Sequence, residues 1–438
     1  MGVKYVEPLK STFLLLLVIL SLILTFSIWS YTPPYQVIEE SQVEQITVGD
    51  QKELHQVVKP YRLLVNQNGN FSGTISNSVM DDLMGTFLNL HASELSFVQS
   101  NLTEEKINSM IRTDNRMTLF FSAEVPINAF RSILEFTQND LPEVSFNSLI
   151  IDWSKFSQTR TLQLLFVSDK NRTLFSTEVA LSDEHFNATF KDAILQTVPY
   201  EEIKRDDKLS LYVPVDPMEL IQFTYYIDEI SPDKFKELLF NDPNIVKKNI
   251  ESLNSSKYTD GMAFMTSDTN TKTINYVYPA SESIGEIKES ILLQDSFDFI
   301  NDHGGLTGDF RYVYMNARNH ITEYQLFLEG IPVFSSVTST RIATTWGDKQ
   351  IFRYRRPYYL LEMDITSEKT IQTLPSGAEL IQSIENLNEI DDIVVGYYLK
   401  KNENELLYTL EPNWFVIDNG SWTRVTTETI GGTGYGLE

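Results

Sequence analysis

The chain has 438 residues, 42% of them hydrophobic and 12% aromatic, with no cysteine and a formal net charge of −25. Such a length allows two or three ordinary domains, and so much apolar and aromatic content excludes a disordered stalk. The missing cysteines exclude a disulfide framework and suit a Gram-positive bacterial exterior, while the acidic balance repels nucleic acid, anionic lipid and anionic wall polymers.

The first element is an apolar stretch, Thr12 to Trp29, with no charged residue. Its 18 residues would span roughly 27 Å as a helix, about the thickness of a bilayer's hydrocarbon core. That is longer than the apolar region of a cleaved signal, and no small-x-small site follows it. Trp29 and Tyr31 read as an aromatic belt, and Pro33 and Pro34 stop the helix. Lys4 and Lys10 precede the segment and Glu39, Glu40 and Glu44 follow it, which puts the N-terminus in the cytoplasm and the bulk outside. The stretch is expected to be an uncleaved signal-anchor. Beyond it the chain carries −26, because only Lys4, Lys10 and Glu7 come before Thr12.

Along the ectodomain, Val79, Leu83, Phe87 and Leu90 predict a helix over 77–90, and a shorter one follows over 102–111. "RMTLFFSAEVP" reads as a strand closed by Pro126, with a helix over 127–136 after it. "SLIIDW", "TLQLLFV" and "TLFSTEVAL" read as strands, the last two joined by a turn at Asp169 to Asn171. Ser182 caps a helix running to about Leu195. The next strands are "LSLYVPV" and "IQFTYYI". Ser231-Pro232 then begins a helix, with the hydroxyl residue at the cap and proline at the first helical position. "DGMAFMT" and "TINYVYP" suggest a hairpin, and a helix is expected over 282–301.

Residues 309–334 align without gaps on 391–416, at an offset of 82, matching Glu323 to Glu405 and Leu328 to Leu410. A tandem repeat of helix-plus-antiparallel-sheet units is one reading, and chance likeness of two hairpins the other. The closing "TIGGTGYGLE" is expected to be a loose tail.

Chemistry is hard to find. His55, His91, His185, His303 and His320 show no i, i+4 pairing, though His303 and His320 flank one connection and could meet. Ser231-x-x-Lys234 matches the nucleophile motif of penicillin-binding enzymes, but the helix cap explains the same residues. No Gly-x-Ser-x-Gly or Asp-x-Asp occurs, and no carboxylate pair stands out for glycoside hydrolysis. One stretch departs from the acidic background: "IFRYRRPYY", with Arg353, Arg355 and Arg356. Alternation sets Phe352 and Tyr354 on one face and Arg353 and Arg355 on the other. This is either a protein contact or an arginine row neutralising nearby carboxylates.

The N-terminal stretch, with Glu7, Pro8, Leu9, Lys10, Thr25, Trp29, Tyr31, Pro33 and Tyr35, resembles the start of the YycH family. The C-terminal half, through "EGIPVF" and "EPNWFVIDNGSW", is also similar to the partner family YycI. The resemblance implies a non-enzymatic accessory protein without cofactor. It would sit with YycI beside the sensor histidine kinase WalK (YycG), which controls cell-wall metabolism, and contact it through membrane helices and ectodomains. The kinase-facing candidates in the helix are Ser21, Thr25, Ser27 and Trp29. Small or hydroxylated residues permit close helix contact, or they bond back to their own helix.

The expected fold is α+β, one transmembrane helix followed by antiparallel sheets with packed helices, the last two units as repeats. The expected division is a cytoplasmic tail (1–11), the membrane helix (12–30) and three ectodomain units (31–200, 201–338 and 339–438). No metal, cofactor or catalytic residue is assigned, and homodimerisation is left open. The competing expectations are a wall-active hydrolase or transferase with a carboxylate site, and a wall-binding scaffold with no kinase partner.

Overall fold

A computed structural model describes residues 14–22, 24–25, 49, 51–283, 285–365, 368–384, 386–402, 406–418 and 420–425. The chain divides into two compact units, Met1–Ile46 and Thr47–Glu438. In the first, residues 14–22 and 24–25 are helical. Among the described residues no helix is long and apolar enough to cross a membrane. The flanks of that segment and the glycine-rich tail lie outside the described residues.

In the second unit, the residues up to Pro214 build an 11-stranded sheet. Its centre runs Asn70–Thr74, Arg62–Gln67, Arg116–Pro126, Ser145–Asp152, Thr161–Ser168 and Thr173–Ala180, all antiparallel. Ser145–Asp152 and Thr161–Ser168 are buried along almost their whole length because both faces are covered. Leu63, Val65, Leu149, Ile151, Leu164 and Phe166 join the main core. Their neighbours Leu64, Ile150, Leu165 and Val167 point the other way, onto Ile107, Met110 and Ile111 of the helix Glu104–Ile111. Thr103 caps that helix, its hydroxyl accepting from the Lys106 N–H. The helix Asn77–Phe87 buries Val79, Leu83 and Phe87 as the spacing requires.

Two expectations here need correction. The helix placed over 127–136 is only Ile127–Phe130, since Glu135–Phe136 pairs in parallel with His91–Ala92. The helix after Ser182 contains a π-helical section, Phe186–Lys191, which stacks Phe186 on both Phe156 and Phe190.

The rest of the chain forms a 15-stranded sheet. The long strand Met218–Glu229 pairs with Leu407–Asp418, Tyr359–Asp364 and Thr370–Leu374, and Ile351–Pro357 lies between Thr273–Val277 and Arg341–Trp346. Strands of the expected 201–338 and 339–438 units therefore interleave in one sheet, and no sheet boundary falls near 338. The helices Pro232–Leu239 and Glu289–Asp302 bury Phe235, Leu239, Leu292, Phe297 and Ile300. Phe299 from the second of them meets Tyr354 edge-on at 5.2 Å.

The tandem repeat also fails in register. Asp309 pairs with Phe327, and an offset of 82 would pair Asp391 with Thr409. Instead the Asp391 N–H bonds Ile417 O, and Thr409 faces Lys400. The cause is local. Glu329 and Gly330 take positive φ, 50° and 83°, and turn the chain back, while Glu411-Pro412 continues inside a strand. Glu405 lies outside the described residues.

The two sheets share a seam. Arg62 from the first reaches Asp392 of the second, Tyr312 donates to Glu124 O at 2.8 Å, and Arg205 donates to Leu387 O and Ile390 O.

Candidate interaction surfaces

The candidates named from the sequence are only partly brought together. Ser21 and Thr25 are on the described helical residues, both exposed, and Thr25 Oγ1 donates to Ser21 O at 2.8 Å. That bond ties the hydroxyl to its own backbone. Ser27 and Trp29 lie outside the described residues.

The basic strand is Ile351–Pro357. Arg353 and Arg355 are exposed on one face, Tyr354 and Arg356 buried on the other. Arg356 therefore leaves the list of surface contacts, because the same alternation that exposes its neighbours turns it inward. It is 0% exposed. Its guanidinium donates to Gly305 O, to the Tyr354 hydroxyl and to Thr307 Oγ1, and packs 5.0 Å from the Phe235 ring. Arg353 lies 4.8 Å from the Phe352 ring. Neither Arg353 nor Arg355 has a carboxylate within ion-pair distance among the described residues.

The candidate chemical groups have structural work. Ser231 Oγ accepts from the Asp233 N–H at 3.3 Å and caps the helix. His303 Nδ1 lies 2.8 Å from Phe299 O and its ring stacks on Phe299, while burial pushes its pKa down. His320 is buried, with Nδ1 3.2 Å from Trp346 O and Nε2 bonded to Gly285 O. These two histidines thus serve separate backbone contacts. Among the described residues no group of three or more His, Cys, Asp or Glu could hold a metal ion.

Two open cavities stand out among the described residues. One, of about 430 Å³, lies where Lys59 and Asn77 face Tyr225, Asp309, Phe327 and Glu329. Its charges are largely matched at short range, with Lys59 on Asp81 at 2.5 Å and Asp309 on Arg311 at 2.7 Å. The other, of about 390 Å³, is lined by Glu53, Asp298 and Asp302 with Gln51, Lys52 and Asn301. There Asn301 exchanges hydrogen bonds with the Lys52 backbone and fastens the entering chain to the helix.

Sequence reasoning missed the seam. Asp392 accepts two bonds from Arg62 Nη2, at 3.1 and 3.0 Å, and one from the Tyr61 hydroxyl at 2.5 Å. Arg62 also lies 4.9 Å from the Phe120 ring. Close by, Ser168 donates to Glu124 Oε1 at 2.7 Å, and Glu124 Oε2 is inaccessible and without a partner. Burial, together with Asp169 and Glu289, raises the Glu124 carboxyl to about 7 despite the Ser168 bond. Nothing local in the sequence marks these residues, since each pair is separated by tens to hundreds of positions.

The comparisons agree with this architecture. The family model described as "YycH protein, N-terminal domain" matches residues 7–195, and "YycH protein, C-terminal domain" matches 208–430. A curated relative from Bacillus subtilis (strain 168), "Two-component system WalR/WalK regulatory protein YycH", is 21% identical over 451 residues, covering 97% of each chain. The crystal structure of YycH from Bacillus subtilis superposes with a TM-score of 0.74 at 18% identity, over 87% of this chain and 99% of that one. The α+β fold is thus shared with a solved structure. Two matched halves and full-length likeness make the chain a member of the YycH family.

Proposed function

We propose that the protein is a single-pass, membrane-anchored accessory regulator of the WalK (YycG) sensor histidine kinase. Its N-terminus is cytoplasmic and its ectodomain outside, and it acts with YycI through transmembrane-helix and ectodomain contacts. The observation that carries this reading is the likeness over 97% of both chains to a relative named as a regulatory protein of the WalR/WalK system. The uncharged stretch Thr12 to Trp29, with lysines before it and acids after it, supports the anchor and its orientation.

The action is by binding rather than catalysis, with no cofactor. Ser231, His303 and His320, the residues with the best claim to chemistry, are engaged in capping and backbone contacts. A regulator of this kind biases a two-state kinase. Binding one state about tenfold more tightly than the other shifts their balance by about 1.4 kcal/mol, and equal binding shifts nothing.

The test is kinase autophosphorylation in nanodiscs, with and without the full-length protein. A change in rate of threefold or more in either direction is expected. An unchanged rate at saturating protein contradicts regulation.

A further inference from the structure

The exposed arginines belong to a larger surface that the register defines. Arg353 lies opposite Val277 and Thr345, Val277 opposite Phe264, Phe264 opposite Thr259, and Thr259 opposite Lys247. Arg355 lies opposite Asn275 and Ala343, Asn275 opposite Thr266, and Thr266 opposite Lys257. Directly opposed residues in antiparallel strands point to the same side, so both rows share one face. The intervening residues Tyr354, Tyr276, Met265 and Tyr258 are buried on the opposite face. Lys247, Asn275, Arg353 and Arg355 are exposed.

The charges on this face do not cancel. Glu251 meets Lys257 at 3.8 Å, Glu323 meets Arg341 at 2.8 Å, and the Asp268 carboxylate on the same face accepts from the Asn270 and Thr271 N–H groups. Lys247, Arg353 and Arg355 have no ion pair among the described residues. Screening limits exposed charges to about 8–10 Å, so near this face its own cations outweigh the distant acidic surface. Solubility does not call for them, since a chain of −25 already has ample charge of one sign.

We infer that this sheet face docks an acidic segment of a partner protein. Arg353 and Arg355, two residues apart on one strand, are separated by roughly 6.6 Å. That spacing fits carboxylates on alternate residues of an extended chain, or one turn apart on a helix. A guanidinium fork takes a carboxylate by two parallel hydrogen bonds, which a lysine cannot do. The inference goes beyond the regulatory reading and needs no particular partner, so either can fail alone.

The test is fluorescence anisotropy of a labelled twelve-residue glutamate peptide, titrated with full-length protein in neutral-lipid nanodiscs. Saturable binding at low salt is expected, weakened at least fivefold by 300 mM salt. Binding should fall at least tenfold in R353E/R355E, and less in R353K/R355K, which keeps the charge and loses the fork. Both side chains are exposed, and the single variant R355Q, expected to lose about threefold, serves if the double reversal unfolds. Absent binding, or binding that none of these variants changes, overturns the inference. So does arginine-dependent capture of anionic vesicles without peptide binding, which would assign the face to lipid. Self-association abolished by R353E/R355E, again without peptide binding, would assign it to a second copy and equally overturn the inference.

Discussion

Arg62 and Asp392 form an ion pair, Nη2 alone reaching both carboxylate oxygens at 3.1 and 3.0 Å, that joins the two sheets at a seam where Arg62 is 6% exposed. Removing one partner leaves the other charge buried and unmatched. Asp392→Ala should lower stability by about 3–5 kcal/mol, while Arg62→Met with Asp392→Leu should lose much less. Urea unfolding followed by tryptophan fluorescence separates the two. Equal losses would mean the pair is no more than packing.

Glu124 makes the same seam depend on pH. Its carboxyl titrates at about 7 in the folded chain against an ordinary 4.5, chiefly through burial, with Asp169 and Glu289 adding repulsion. A raised folded pKa means the neutral form is favoured on folding. The contribution is therefore full below about 4.5 and is lost as pH rises through about 7. Partial exposure reduces the size to about 1–2 kcal/mol. Glu124→Gln should be the more stable chain at pH 8, with the difference vanishing near pH 4.5. Thermal melts of both chains across that range measure it.

Gly396 sits in the strand Asp392–Lys401 because two aromatic rings occupy its side-chain space. A Cβ there would come within 2.7 Å of both Phe334 and Phe415. Gly396→Ala should destabilise by about 1–3 kcal/mol through overpacking. The melting temperature reports it, and an unchanged value would show that the rings move aside.

What the sequence disclosed was local. Pro126 ended its strand where expected, because it fixes φ and removes a donor, and Ser182 and Ser231 each cap the helix that follows them. Alternation sorted Arg353 and Arg355 from Tyr354, and carried one residue further it would have withdrawn Arg356 as well. What stayed hidden was non-local. The partners of Met218–Glu229 begin more than a hundred residues on, and no periodicity encodes them. The false repeat has a local root instead. Two hairpins of like composition differ because Gly330 permits a turn that Pro412, held within a strand, does not make.

Ser231 separates a capping role from a nucleophilic one. Ser231→Ala should lower stability by about 1 kcal/mol, the usual loss for a cap, and leave the effect on kinase autophosphorylation unchanged. Ser231→Asp, which can still accept the Asp233 N–H bond, should restore the stability. Failure of aspartate to restore it would contradict the capping assignment.

The central claim is that the chain works by physical association with the kinase through its anchor as well as its ectodomain. Co-purification of tagged full-length protein from membranes, read for WalK and YycI, tests it most directly. Both should be recovered with the intact chain, and recovery of WalK should drop severalfold when Thr12 to Trp29 is replaced by an unrelated membrane helix. Recovery of neither WalK nor YycI with the intact chain would contradict the claim.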